Sequence, residues 1–404
     1  MTIKKYLDDA YTLAFNAVVS SVVSEGGQHW ISLEETYFYP EGGGQPCDFG
    51  TIEGHLVEDV QVKNDIVYHR VAQPGSFAVG QRAFCQIDPE RRLDLMCQHS
   101  AQHILSAVLE HQYKTHTVGF HLTADNLTID TDSVLTGDQW SLIETEVNQW
   151  VRASLSFSAL YPESDDLQQF ALRKQPKVTE NIRLIALGDR DIVPCGGTHV
   201  RHSGEIGLIK IDRIDKYKIG QRVFFCAGQR AIAAMQLESH VSKALSSRFS
   251  VPVHQLLASL EQILEKQKEL QWHYQLLIQE KAKLEAKALI EASKLTSLVP
   301  QSPIVAIWDD QRDAEYIKHL IGALTADKDY KGAIVIGYKD EKGAQFVLRA
   351  PSGLNAVEIL NTLKQVHPLR GGGSAERIQA GSQDVNIVAA AYQQCLEIIE
   401  GTRE

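Results

Sequence analysis

Apolar and polar positions change period along the chain, and the changes divide it into four stretches. Residues 1–88 hold short runs rich in β-branched and aromatic residues, HWISLEETYFY, HLVEDVQV, DIVYHRV and RAFCQI, separated by Gly, Pro and Asn or Asp turns. Such runs predict a small, mainly β domain, a barrel or a sandwich. The period lengthens at Asp88, which offers an N-cap, with Pro89 and an acidic Glu90 in the first turn, so a helix is expected from there to about Gln112. Between about 113 and 230, strand-like runs (LTIDTDS, RLIAL, IGLIKIDRI, QRVFFCAG) surround the helical GDQWSLIETEVNQWVRASL, which makes residues 89–232 an α+β domain.

Residues 233–300 are helix-forming almost throughout, with Pro252 suited to a first turn and no breaker from there to about Ser297. Ile263, Leu270, Leu277 and Leu284 recur every seven positions, but Gln267 and Lys281 interrupt the adjoining seam that Leu260 and Tyr274 occupy. The pattern predicts a helical arm or hairpin that packs on a partner chain, a homodimer contact. Residues 301–404 alternate strands (PIVAIWD, KGAIVIGY, AQFVLRA) with helices (AEYIKHLIGALTA, NAVEILNTLKQV, DVNIVAAAYQQCLEIIE), a fourth, α/β domain. The fold class is therefore multidomain α+β.

Composition narrows the classes. A chain of 404 residues, 44% hydrophobic and 23% charged, is neither collagen-like nor broadly disordered. The opening MTIKKYLDDAYTLAF lacks the apolar core of a signal peptide, and no stretch approaches the roughly 20 apolar residues of a spanning helix. Cysteines 47, 85, 97, 195, 226 and 395 show no framework spacing, so a reducing, cytoplasmic location is expected. The net charge of −11 argues against a protein coated for indiscriminate nucleic-acid binding. Local basic clusters remain, at Lys210, Arg213, Lys216, Lys218 and Arg222, and at Arg370 and Arg377 around a glycine run.

The candidate chemistry lies in two short motifs. On the helix after Asp88, Leu93, Cys97, Ile104, Leu105, Val108 and Leu109 form one stripe, and His99 and His103 lie together on another face, one turn apart. Alone, such a pair also fits satisfied surface histidines. The second motif, PCGGTHV, folds Cys195 and His199 toward one point through a glycine turn. Two imidazoles from a helix plus a thiolate and an imidazole from a distant loop make the mixed N/S set that suits Zn²⁺. No Glu follows His99, so this is not the metalloprotease HExxH. Four protein ligands could mean a closed structural site, or a site in which one ligand yields to water or substrate.

At these residues the chain resembles a known family. HSAQH and CGGTH resemble the zinc signature of alanyl-tRNA synthetase editing domains and of the freestanding AlaX proteins, and YPEGGGQPCDFG (39–50) resembles the glycine-rich motif upstream of it. GEIGLIKIDRIDKYKIGQRVFFCAGQRA (204–231) resembles the end of that domain, Arg222 included, and GGGSAERIQAG (371–381) resembles the glycine-rich stretch of the C-terminal DHH-associated domain of the long AlaX form. Ser100 and Gln102 replace the Thr-containing pattern of the synthetases. Fewer than about 100 residues precede His99, too few for an aminoacylation domain.

The resemblance implies a trans-editing, zinc-dependent aminoacyl-tRNA ester hydrolase that clears seryl- and also glycyl-tRNA(Ala), with tRNA(Ala) as partner. The rivals are a non-enzymatic tRNA-binding protein with a structural zinc and a zinc hydrolase of another ester. The expected metal ligands are His99, His103, Cys195 and His199, and the expected catalytic residues Gln45, Gln102 and His103. Gly42, Gly43, Gly44, Gln45, His121 and Arg222 are the expected substrate contacts. Arg370, Gly371, Gly372, Gly373 and Arg377 are the expected tRNA contacts, through a backbone nest or, failing that, only a flexible turn.

Overall fold

The computed structural model describes all residues except 73–76, 124–125, 177, 297–302, 310, 341–342 and 403–404. It separates into two compact units, Met1–Leu245 and Ser246–Glu404. The expected helix end at Ser297 lies outside the described residues. Among them, no helix is long and apolar enough to cross a membrane.

In the first unit, β1 (Ile3–Lys4) pairs in parallel with β4 (Glu35–Thr36) beside a closed six-stranded barrel. The barrel runs β2 (Ala14–Glu25), β3 (Gln28–Leu33), β7 (Ile66–Val71), β6 (His55–Lys63), β5 (Gly50–Ile52) and β8 (Arg82–Ile87), with β8 returning to β2. Alternation fills it. In β8, Ala83, Cys85 and Ile87 are buried while Arg82, Phe84 and Gln86 face out.

The first helix, α1 (Pro89–Tyr113), starts as the sequence predicts, with the Asp88 carboxylate accepting from the Glu90 and Arg91 amides. The expected division into an apolar stripe and a polar face fails. Every residue from Leu95 to Leu109 is buried, and Leu93, placed on the stripe, is 47% exposed. The helix is enclosed, so its histidine face is internal. On one side lie α2 (Gly137–Arg152) and a sheet ordered β14 (Ile209–Tyr217), β15 (Gly220–Ala227), β10 (Leu127–Thr131), β9 (Thr117–Leu122), which contribute Trp140, Ile143, Val147, Ile129, Val223 and Phe225 to one core with α1. A second sheet, β11 (Phe157–Leu160), β12 (Leu184–Leu187) and β13 (Asp191–Pro194), delivers the Cys195 loop at the end of β13. Arg92 joins helix to barrel: its guanidinium, 1% exposed, pairs with the fully buried Asp48 and donates to the Ala10 and Tyr37 carbonyls, both at 2.6 Å. The unit continues into α3 (Gly228–Phe249).

The second unit opens with α4 (Leu256–Thr296), whose Ile278, Ala282, Ala286 and Ile290 are buried against α5 (Ala314–Ala326). The heptad positions Leu270, Leu277 and Leu284 are instead 65–71% exposed. A five-stranded sheet follows the order β16 (Ile304–Asp309), β17 (Ala333–Asp340), β18 (Gly343–Arg349), β20 (Arg377–Ser382), β19 (Arg370–Gly373). Only β16 and β17 are parallel, so the expected α/β alternation yields a mixed sheet. Helices α6 (Ala356–Val366) and α7 (Val385–Gly401) cover its other face.

Candidate metal centre

Both halves of the predicted quartet meet on the enclosed face of α1. One ligand atom each from His99, His103, Cys195 and His199 lies within 4.8 Å of all the others. Cys195 Sγ is 3.5 Å from His99 Nε2 and 3.3 Å from His199 Nε2. Tetrahedral zinc with bonds of about 2.0–2.3 Å separates N and S ligands by about 3.5 Å, so the donor set fits that ion.

The surrounding side chains fix the donors. Gln45, 0% exposed, accepts through Oε1 from His99 Nδ1 (2.7 Å) and from the Thr198 amide (3.2 Å), while its Nε2 donates to Thr198 Oγ1 (2.8 Å). His99 therefore carries its proton on Nδ1 and turns Nε2 toward the other donors. Ser100 Oγ stands 3.3 Å from His199 Nδ1 and accepts from the Val200 amide. Phe120 stacks on the His99 ring at 5.4 Å and Phe157 on His199 at 5.6 Å. Burial first, and the Arg183 charge second, lower the His99 pKa to about 3; burial likewise holds His103 and His199 well below the usual histidine range. All three rings are neutral, the form that ligates. Burial raises the Cys195 pKa, opposed by the Gly197 amide and by Arg183.

The glycine motif forms a hairpin turn that also lines the site. Gly42 and Gln45 exchange backbone hydrogen bonds at 3.1 and 2.9 Å around Gly43 and Gly44, both at positive φ (59° and 89°). A Cβ on Gly44 would meet Phe120 Cδ1 at 2.7 Å. Two cavities share the wall made by Gly43, His99, Lys174, Pro194 and Cys195. The larger, about 630 Å³, adds Tyr6, Tyr39, Gly42, Val62, Asn181 and Arg183. The smaller, about 340 Å³, adds Gly44, Gln102, His103, Thr117, Phe120 and Arg173.

Several expected roles change. Gln45 is sealed behind His99, with its amide oxygen and nitrogen both hydrogen-bonded, and it lines neither cavity. Gln102 does reach the smaller cavity, donating to Ser106 Oγ (2.8 Å), which is bonded in turn to Thr117. His121, 62% exposed, lies on the opposite face of β9 from Phe120, beside Asp130. Arg222 is across the same outer sheet face, paired with Asp130 at 2.6 and 2.8 Å and stacked on Tyr217. Neither lines a cavity beside the quartet. In the second unit, Arg370 and Gly371–Gly373 form neither a nest nor a turn: they are the edge strand β19, exposed throughout, with Arg377 opening its neighbour β20. A Cβ on Gly371 or Gly373 would collide with the Gln379 or Arg377 carbonyl oxygen. Arg370, Gly371 and Gly372 border a 560 Å³ cavity with Gln345, Gln379 and Asp340. The sequence reading missed Arg173, Lys174, Arg183, Thr117 and Phe120.

Comparison with known proteins agrees with this geometry. Residues 182–224, which carry the Cys195 loop, β14 and the first part of β15, match the profile of the threonyl and alanyl tRNA synthetase second additional domain. Residues 8–91 match that of class II (A) tRNA synthetases, and here they form the barrel and its approaches. The alanyl-tRNA editing protein AlaX-L of Pyrococcus horikoshii is 36% identical over 245 residues, 58% of this chain and 60% of that protein. Over these residues the chain is similar to that AlaX editing protein. Alanine–tRNA ligases of Pyrococcus abyssi (28% identical) and Halobacterium salinarum (30%) align over 98% of the chain but only 43% and 44% of their own lengths. The chain thus spans 60% of the editing protein and less than half of either ligase.

Proposed function

We propose that the protein is a metal-dependent deacylase acting in trans on mischarged tRNA(Ala), with seryl- and glycyl-tRNA(Ala) as substrates. The observation that supports it is the opening of a three-imidazole, one-thiolate donor set onto two cavities of unequal size. His99, His103, Cys195 and His199 would hold zinc, which when bound supplies a Lewis acid for an ester carbonyl or for water. The smaller cavity suits the aminoacyl group and the larger one the terminal nucleoside.

Serine and alanine differ by one hydroxyl. A buried polar group awaiting that hydroxyl discriminates by roughly 10⁴ to 10⁵, which shape alone does not reach. Gln102 is our candidate for this group, a reading supported by its burial at the smaller cavity with its amide nitrogen donating to Ser106. In the second unit, the glycine edge strand with Arg370 and Arg377 is assigned to tRNA contact, and the exposed heptad face of α4 to homodimer assembly. The four-ligand closure also suits a purely structural metal in a tRNA-binding protein.

One experiment separates these readings. Seryl-, glycyl- and alanyl-tRNA(Ala) are incubated with the protein, with and without zinc, and again with His103→Ala. Zinc-dependent loss of seryl-tRNA(Ala), sparing of alanyl-tRNA(Ala) and inactivity of the variant are expected. Persistence of seryl-tRNA(Ala) with zinc bound refutes the deacylase.

A further inference from the structure

The loop between Cys195 and His199 must bring a sulfur and an imidazole to one point, yet its Cys-Gly-Gly sequence has little stiffness of its own. What holds it is Arg183, the residue before β12. The β12–β13 register sets Leu184 opposite Pro194, so Arg183 falls opposite Cys195, and the Cys195 amide donates to the Arg183 carbonyl at 3.1 Å. The Arg183 side chain then folds over the same loop. Its Nη1 donates to the Cys195 carbonyl (2.8 Å) and to the Gly197 carbonyl (2.9 Å), and its Nη2 to the Leu7 carbonyl (2.9 Å).

Gly197 transmits the hold in two directions. Its amide donates to Cys195 Sγ at 3.3 Å, and its Cα packs so closely on the His99 ring that no Cβ would fit. A shift of the Gly197 carbonyl therefore moves a sulfur donor and a nitrogen donor together. Arg183 Nε is buried and has no hydrogen-bond partner among the described residues. Leaving such a donor unpaired costs about 1–3 kcal/mol, a cost that a lysine or an apolar residue at this position would avoid. The planar guanidinium delivers two bonds to the loop from one nitrogen and a third to the Leu7 segment from the other, held in one rigid fork where a lysine has a single rotatable nitrogen.

We infer that Arg183 is the positioning residue that presets the quartet, locking the Cys195–Gly197 turn in the ligand-ready conformation before any metal arrives. The inference rests on the metal reading of the quartet proposed above. Gln45 and Arg183 then brace the site through different atoms, one through His99 Nδ1 and the other through the loop carbonyls.

The test uses the full chain, with Arg183→Gln, Arg183→Lys and, as a control, Arg190→Gln, whose guanidinium stacks on Trp150 at 4.7 Å and makes no hydrogen bond to the quartet loop among the described residues. Zinc affinity is measured by chelator competition, the Cys195 environment by the thiolate-to-cobalt absorption of the Co²⁺-loaded protein, and folding by thermal melting of the metal-free protein. Both Arg183 variants should bind zinc on the order of 10- to 100-fold more weakly and shift the cobalt band. The control should match the wild type. Equal affinity and an unchanged band in either folded variant overturn the inference, as does a variant whose metal-free melting temperature falls while its folded fraction binds zinc normally. Arg183→Lys keeps the charge and decides the matter if Arg183→Gln does not fold. Absence of zinc binding by the wild type would instead overturn the metal reading.

Discussion

Gly197→Ala is the sharpest perturbation the site allows. Gly197 has no unusual backbone angle, so the substitution adds one methyl and nothing else. That methyl would lie against Cε1 and Nδ1 of His99, far inside normal contact, and 2.9 Å from Gln45 Oε1. Carbon and nitrogen atoms rest at about 3.5 Å, so either ring or loop must retreat by about 1 Å. The ring cannot tilt freely: Gln45 holds its Nδ1 at 2.7 Å and Phe120 covers its face at 5.4 Å. The loop cannot lift without stretching the Arg183 bonds at 2.8 and 2.9 Å. Metal sites tolerate roughly 0.2 Å in ligand distance, so a 1 Å shift removes at least one donor. Overpacking should destabilise the metal-free protein by about 1–3 kcal/mol. Zinc affinity should fall on the order of 100-fold, with loss of seryl-tRNA(Ala) hydrolysis. Chelator competition, melting with and without zinc, and a deacylation time course read these effects. Gly196→Ala is the internal control, because a Cβ there meets nothing within 4 Å and should change little. If Gly197→Ala binds zinc and deacylates as the wild type does, the placement of the loop against His99 is wrong.

Two further outcomes follow from the same geometry. Gln45→Leu removes the acceptor of both His99 Nδ1 and the Thr198 amide, and should weaken zinc binding by about 10- to 100-fold while costing about 1–3 kcal/mol per orphaned donor; zinc affinity equal to the wild type's would return Gln45 to a bystander. Arg222→Ala should leave deacylation nearly intact and instead change acid stability. Its hydrogen bond holds the Asp130 carboxyl below the usual aspartate range, so the pair stabilises the fold above that range and the contribution is lost as pH falls through the lowered folded value. The melting temperatures of wild type and variant should therefore draw together as the pH is taken from neutral to below the usual aspartate range. A large loss of deacylation at neutral pH would restore Arg222 to the substrate site.

Which residues were legible follows from the range of the forces that place them. The quartet could be read because spacing alone aligns each half: a helical turn pairs His99 with His103, and a glycine turn pairs Cys195 with His199. The barrel strands and the start of α1 could be read because alternation and capping are local. The burial of α1 could not, since its polar residues are satisfied by partners distant in sequence, such as Gln98 with Ala227 and Ser100 with Val200. Gln45 looked like a substrate contact because an amide in a glycine loop is indistinguishable, in sequence, from one that braces a histidine 54 residues away.

His121 and Arg222 teach a different lesson, because the signal against them was present. In TVGFHL the residues at Phe120 and Leu122 are apolar and pack toward α1, so a strand period of two sends His121 to the other face. In QRVFFCA, Val223 and Phe225 turn inward and Arg222 outward for the same reason. The sheet therefore offers the site an aromatic ring, Phe120 on His99, and keeps its charges outside with Asp130. An apolar wall beside the ligands raises the cost of any misplaced charge and strengthens each polar contact that is made. On the proposed deacylase reading, selectivity for a hydroxyl would rest on the neutral polar groups Gln102 and Thr117 at the smaller cavity, and not on His121 or Arg222, which line neither cavity.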